Sequence, residues 1–372
     1  MHTRSAVDFG VAPFLVIWET TRACALACVH CRADAIARRD PRELTTREAF
    51  RLIDQVCDFR PLPLFVLTGG DPMWRKDLRE IVQYASAAGL SVALTPSGTG
   101  AATRARLADL RDAGLTRVAV SLDGPDPATH DAFRRVRGSF AHTTRIIDAA
   151  IDLGLPLQIN TTVSRSTLST LRRMADCIAT FPLSLWAVFF LVQTGRGASL
   201  DQIDAPECED VLRWLADLSR RVSFAVKTTE APHYRRVLWE HGRRGDTPGA
   251  VEAAPAPAGK VPVPSAPRAP RAVNDGNGFV FVDHVGAILP SGFLPMVRGN
   301  VRDEALGATY RDDAVFRRLR DPDALEGKCG RCRFRALCGG SRSRAFAQTG
   351  NAFASDPLCA YEPRAETEEI VE

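Results

Sequence analysis

The segment Phe14-Leu-Val-Ile-Trp-Glu19 leads through Thr20-Thr-Arg-Ala23 into Cys24-Ala-Leu-Ala-Cys28-Val-His-Cys31. A short apolar run rich in branched and aromatic side chains reads as a buried strand, which places the three cysteines on a loop at its C-terminal end. Three thiols so close together on one loop suit a metal centre. A structural zinc site wants four ligands, and the nearest further donor, His30, adjoins Cys31 and would strain a tetrahedral shell. A [4Fe–4S] cluster held by three cysteines instead leaves one iron open to a small molecule.

Outward from this loop, short apolar runs alternate with amphipathic helical stretches. The expected strands are 14–19, 64–68, 91–95, 117–122, 157–163 and 185–192. Their Val, Ile, Leu and Phe content fits parallel strands covered on both faces. Thr45 and Glu48 form a capping box at a helix start, and Gly89, Gly114 and Gly154 stand where helices end before strands. Six strand–helix units in series imply a parallel sheet with right-handed crossovers. Polar or glycine-rich groups follow nearly every strand: the three cysteines, Gly69-Gly70-Asp71-Pro72, Pro96-Ser97-Gly98, Asp123-Gly124 and Gly195-Arg196-Gly197. Chemistry gathered at the C-terminal ends of parallel strands is the barrel arrangement, so a partial (β/α)6 TIM-like barrel is expected over residues 1–240.

Seven prolines fall between Pro248 and Pro270, so 241–275 reads as an extended linker or insertion. Beyond it, 278–282 and 287–289 read as a small hairpin, and 276–372 as a small Cys-rich α+β domain. Cys329-x2-Cys332-x5-Cys338-x20-Cys359 offers four thiols, a set that zinc and iron–sulfur clusters both accept. Cys57, Cys177 and Cys208 stand singly in helical segments and read as small buried hydrophobes.

With 48 basic and 44 acidic residues, the formal charge of +4 over 372 residues gives no case for nucleic acid. No signal-peptide layout opens the chain, and its longest apolar stretch, 181–192, is about half a bilayer span. The expectation is a soluble, cytoplasmic protein whose clustered cysteines bind metal rather than pair as disulfides.

The spacing Cys-x3-Cys-x2-Cys after a strand and before a helix resembles the signature loop of the radical S-adenosylmethionine (SAM) superfamily. There the open iron chelates SAM, and an electron from the cluster cleaves it to a 5′-deoxyadenosyl radical. Thr68-Gly69-Gly70-Asp71-Pro72 is similar to the family's Gly-Gly-Glu-Pro element, with Asp71 where many members have Glu. The resemblance implies SAM contacts from Gly69, Gly70, Asp71 and Pro72. It implies further contacts from Ser97, Ser121, Asp123, Asn160 and Thr162, with Leu191 and Val192 flanking adenine. The segment from Cys338-Gly-Gly to Asp356-Pro-Leu-Cys359 resembles SPASM-type auxiliary-cluster extensions, which implies a second [4Fe–4S] cluster on Cys329, Cys332, Cys338 and Cys359. Leu289-Pro290-Ser291-Gly292 occupies the region of a further ligand, so one auxiliary cluster is expected.

Ser121-Leu-Asp-Gly-Pro125, His130-Asp-Ala-Phe-Arg134 and Phe190-Leu-Val-Gln-Thr-Gly-Arg-Gly197 look closest to the branch that forms haem d1 and haem by the alternative pathway. Those members act on propionates of porphyrin-type macrocycles, which implies cationic partners; Arg134, Arg196, Arg342 and Arg344 are the candidates, although in a chain this rich in Arg each one singly reads first as structural. Peptide maturases share the architecture, but only about a dozen residues precede the first strand here. The implied partners are a tetrapyrrole or, second, a peptide, with a flavodoxin or ferredoxin as electron donor. The contrasting class is a non-catalytic zinc or iron–sulfur protein.

Overall fold

The computed structural model describes residues 8–243 and 273–363, so most of the Pro/Ala-rich segment lies outside the described residues. Seven strands follow one another in parallel: β1 (Leu15–Glu19), β2 (Leu64–Thr68), β3 (Ser91–Leu94), β4 (Leu115–Ser121), β5 (Leu157–Val163), β6 (Leu185–Phe190) and β7 (Ala225–Thr229). Helices α1 (Thr46–Cys57), α2 (Leu78–Ala87), α3 (Arg104–Asp112), α4 (Pro127–Arg134), α5 (Ser139–Asp152), α6 (Leu171–Ile178) and α7 (Ala205–Ser219) make the crossovers, and α8 (Tyr234–Arg243) follows β7. The result is a partial barrel of the α/β class. The seventh strand was not expected from its sequence, because Ala-Val-Lys-Thr-Thr centres a lysine in a short, weakly apolar run.

The expected hairpin forms as β8 (Phe279–Val282) and β9 (Ala287–Leu289), and β10 (Gly299–Asn300) adds to it. Its placement is the surprise: β8 pairs in parallel with β1, Leu15 opposite Phe279 and Trp18 opposite Val282. A single sheet therefore runs β10-β9-β8-β1-β2-β3-β4-β5-β6-β7. Helices α9 (Leu306–Asp312), α10 (Ala314–Arg320), α11 (Gly327–Gly330) and α12 (Arg342–Thr349) complete the C-terminal region.

Alternation along the strands divides the barrel into two environments. Val16, Trp18, Phe65, Leu67, Val118, Val120, Ile159, Trp186 and Val188 are buried in the core beneath the helices. Helix α1 answers with Ala49, Leu52, Ile53 and Val56 on one face. Its start is fixed by the expected capping box, in which Glu48 N–H donates to Thr45 and Thr45 N–H donates to Glu48 Oε2 at 2.8 Å. Helices α2, α3 and α5 end at Gly89, Gly114 and Gly154, all with positive φ. The intervening strand residues face the lumen, and Ile17, Val66, Ala119, Asn160 and Phe189 among them are half-buried. Among the described residues no helix is long and apolar enough to cross a membrane.

The N-terminal segment is tied to the far end of the chain by Tyr310, whose buried hydroxyl donates to Phe9 O at 2.7 Å and accepts from Gly278 N at 3.1 Å. Tyr310→Phe leaves both backbone groups unsatisfied and is expected to cost about 1–3 kcal/mol in chemical denaturation.

Candidate metal centre and active site

The cysteine loop is closed at its base. Cys24 N–H donates to Ile36 O and Ile36 N–H to Arg22 O, both at 2.9 Å, so the segment between them is held as one ring of backbone. Cys24 and Cys28 are buried around Leu26, and Cys31 packs against them with Ala35 and Val136. Each sulfur faces a donor. Leu26 N lies 3.3 Å from Cys24 Sγ, Arg134 Nη1 lies 3.5 Å from Cys28 Sγ, and Ala35 N lies 3.5 Å from Cys31 Sγ, while Ser97 Oγ stands 3.5 Å from Cys24 Sγ. Such donors are what thiolates in a cluster use to offset desolvation and tune potential. Burial pushes the Cys24 thiol up, and Ser97 and Leu26 offset it only in part; bound iron would supply the missing positive charge.

The Gly-Gly element braces this loop from the side. Gly70 N–H donates to Thr21 O and Asp71 N–H to Ala23 O, both at 2.7 Å. A Cβ on Gly70 would lie 2.5 Å from Arg22 O and Ala23 O, so only glycine permits the approach. The Asp71 carboxylate is buried and turned inward, accepting from Met73 N, Ser97 N and Thr99 Oγ1, while Pro72 begins a 3-10 turn. Ser97 donates to Gly70 O at 2.5 Å, which joins the loops after β2 and β3 to the first cysteine.

From the other side, Arg134 at the end of α4 forms a buried ion pair with Asp123, and Asp123 also accepts from Thr162 N at 2.7 Å. Burial would raise the Asp123 carboxyl, but Arg134 and its neighbours hold it below the usual carboxylate range. His30 stacks on Phe133 with ring centroids 4.4 Å apart, and burial lowers its pKa to about 3, so its ring is neutral. After β6, Arg196 clamps the loop through Nε to Cys28 O and Nη1 to Ala35 O, each at 3.0 Å. Gly195, at φ +53, lets that turn sit against Cys31 O and Arg32 O, each 2.5 Å from where a Cβ would stand.

A buried network unseen in the sequence joins this loop to the C-terminal hairpin. Glu19, at the end of β1, accepts from Arg32 at 2.9 Å and faces His284 Nδ1 at 3.0 Å. Arg32 also donates to Gly292 O and lies over the Phe281 ring at 4.6 Å. Burial opposes a charged His284, yet Glu19 raises its pKa above the ordinary value.

The four C-terminal cysteines line one small pocket with His233, Phe334 and Tyr361. Phe334 N lies 3.4 Å from Cys332 Sγ and Asp356 N 3.4 Å from Cys329 Sγ. Burial pushes the Cys338, Cys359 and Cys332 thiols up, Cys359 to about 12, and neighbouring thiols add to the effect. Thiols assembled where each destabilises the others' ionisation call for a cation among them. Among the described residues no three His, Cys, Asp or Glu side chains surround a single-ion centre; a cluster differs in giving each thiolate its own iron. Cys208 is wholly buried in the core, whereas Cys57 and Cys177 are half-buried, and all three lie on helices.

The model of the radical SAM superfamily matches residues 18–178. The chain is 38% identical over 363 residues to an AdoMet-dependent heme synthase of Oleidesulfovibrio alaskensis, covering 97% of this chain and 90% of that one. It is 39% identical over 352 residues to the enzyme of the same description from Nitratidesulfovibrio vulgaris, covering 94% and 93%. This chain belongs to the radical SAM superfamily. Streptococcus suis SuiB bound to S-adenosylmethionine shares the fold at a TM-score of 0.66 and 13% identity, over 94% of this chain and 78% of that one.

As a radical SAM enzyme, the chain takes a [4Fe–4S] cluster and SAM as cofactors. Several expected ligand-binding residues turn out to hold the protein together through their side chains: Asp71 and Ser97 join loops, and Asp123 pairs with Arg134. Ser121 and Asn160 stand opposite one another on β4 and β5, half-buried on the lumen side, with Thr162 farther along β5. Leu191 and Val192 are buried just after β6.

The four arginines that were candidates for substrate carboxylates have partners within the protein, as their structural reading implies. Arg134 and Arg196 grip the cysteine loop. Arg342 donates to Ala352 O and Ala354 O at 2.9 and 2.8 Å, and Arg344 pairs with buried Asp356 at 3.3 Å while reaching Phe190 O and Leu191 O. A guanidinium this buried requires acceptors, and here the backbone and Asp356 supply them.

Gly70→Ala should dislodge the 21–23 segment and empty the N-terminal site while sparing the C-terminal one, so iron in anaerobically reconstituted protein should fall from about eight to about four per chain. The Glu19–His284 contribution to stability should be full below about pH 6.5 and fade as pH rises through the raised pKa of His284. Denaturant unfolding across that range should show the slope, and His284→Gln should flatten it.

Proposed function

We propose that this radical SAM enzyme abstracts hydrogen from a propionate side chain of a tetrapyrrole on the way to haem. The observation that carries the reading is the near full-length likeness to two AdoMet-dependent heme synthases, which extends through the barrel and the C-terminal cysteine region alike. The three-thiol loop and SAM together supply the 5′-deoxyadenosyl radical when bound. The chain's own residues do the rest. Cys24, Cys28 and Cys31 leave one iron for SAM, and the carbonyls of the Gly69–Pro72 turn stand beside that loop. Ser121, Asn160 and Thr162 offer polar groups at the lumen side of β4 and β5, and Leu191 and Val192 an apolar edge for adenine.

In this reading residues 1–240 are the radical SAM core and 276–372 the auxiliary domain, joined by the 241–275 segment. Cys329, Cys332, Cys338 and Cys359 hold one auxiliary [4Fe–4S] cluster, whose full set of thiolates suits electron transfer. The setting is the cytoplasm, with a flavodoxin or ferredoxin as reductant.

The test is anaerobic incubation of reconstituted enzyme with reductant, SAM and iron coproporphyrin III, a porphyrin with propionate substituents. The expected products are 5′-deoxyadenosine and a porphyrin in which propionate has become vinyl with loss of CO2, read by mass spectrometry. Cys28→Ala should abolish both. Release of 5′-deoxyadenosine with the porphyrin unchanged would refute the tetrapyrrole substrate, and zinc-loaded protein that releases none would refute the catalytic reading altogether.

A further inference from the structure

We infer that Arg117 and Lys227 form the seat for a substrate carboxylate inside the barrel lumen, facing an apolar wall that receives the macrocycle. The inference deepens the tetrapyrrole reading and rests on it.

Strand alternation decides where these side chains go. On β4, Val118 and Val120 belong to the core beneath the helices, so Arg117 between Thr116 and Val118 projects to the other face, into the lumen. On β7, Val226 packs against the same core, and Lys227 therefore faces inward. Lys227 stands in register with Ala187 on β6, which is itself in register with lumen-facing Asn160 on β5.

Both side chains are half-buried, and neither has a hydrogen bond or an ion pair among the described residues; Arg117 Nε is buried with no partner. That separates them from the chain's other enclosed arginines. Arg32, Arg75, Arg134, Arg236 and Arg344 each meet a carboxylate, and Arg196, Arg235 and Arg342 each meet backbone carbonyls. Burial lowers the Lys227 pKa to about 8, and the repelling charge of Arg117 adds to the effect. Two cations facing one enclosed space without an anion lower stability unless something else supplies the anion. A carboxylate from outside would satisfy both, with the guanidinium offering two parallel donors and the ammonium a point charge.

The facing wall has the opposite chemistry. Ile17, Phe279, Phe281, Ala287 and Leu289 cluster together, on the strand faces that point away from the helix-covered core, with Arg32 lying over the Phe281 ring at 4.6 Å at their edge. These strands and β4–β7 lie toward opposite ends of one curved sheet, so its curvature turns the apolar wall toward the cationic one. An apolar plane with carboxylates along its edge, which describes a propionate-bearing porphyrin, matches both walls at once.

The experiment titrates full-length, cluster-loaded enzyme with iron coproporphyrin III and with its tetramethyl ester, followed by absorption. Wild type should prefer the acid. Arg117→Met and Lys227→Met should each lose roughly ten-fold or more in affinity for the acid, with little change for the ester, and Lys227→Arg should retain most of the preference. Thermal unfolding without ligand distinguishes a binding role from a structural one, because removing an unpaired enclosed charge should leave Tm unchanged or raise it. If the Met variants bind the acid as wild type does, or lose Tm along with affinity, the carboxylate seat is refuted while the tetrapyrrole reading stands. If wild type binds neither porphyrin, the tetrapyrrole reading fails and takes the seat with it.

Discussion

Thiolates enclosed by protein cost free energy unless donors and cations meet them, and the architecture around Cys24, Cys28 and Cys31 answers that constraint. Leu26 and Ala35 supply backbone N–H groups and Arg134 a guanidinium. The Arg134 charge is in turn balanced by Asp123, whose second oxygen takes an N–H from β5. One chain of interactions thus runs from a sulfur to two strand ends. The glycines of the Gly-Gly element act sterically in the same cause, letting the loop after β2 press against the backbone that leads into Cys24.

The same logic joins the two cysteine regions through the sheet. Because β8 pairs with β1, the C-terminal hairpin is an extension of the barrel wall. Glu19, Arg32 and His284 neutralise one another at that junction. At the other end of the sheet, Arg344 and Asp356 connect the carbonyls after β6 with the backbone beside Cys329. Among the described residues the enclosed arginines elsewhere meet carboxylates or backbone carbonyls, and that contrast sets apart the two partnerless cations of the lumen.

Much of the fold was legible locally. Strands β2 and β5 fall on the expected residues, because uninterrupted apolar or alternating runs leave few alternatives. Strand β7 was missed because its inward lysine breaks the pattern, and an inward charge is explicable only once there is a lumen for it to face. The roles of Arg134, Arg196, Arg342 and Arg344 were not legible for a related reason. An arginine's partner is chosen by tertiary proximity, and in a chain this rich in arginine composition gives no guide to which ones have already been satisfied.

The sequence by itself determined the class of chemistry, since cysteine spacing after a strand fixes how many thiolates can reach one cluster. It determined the helix ends as well, through caps and glycines that act within a few residues. Only the tertiary structure decided which polar side chains brace the site and which remain open to a ligand, and that the last strands close onto the first. Those outcomes depend on contacts between residues far apart in the chain, where burial sets the cost of each charge and neighbouring strands determine whether it is met.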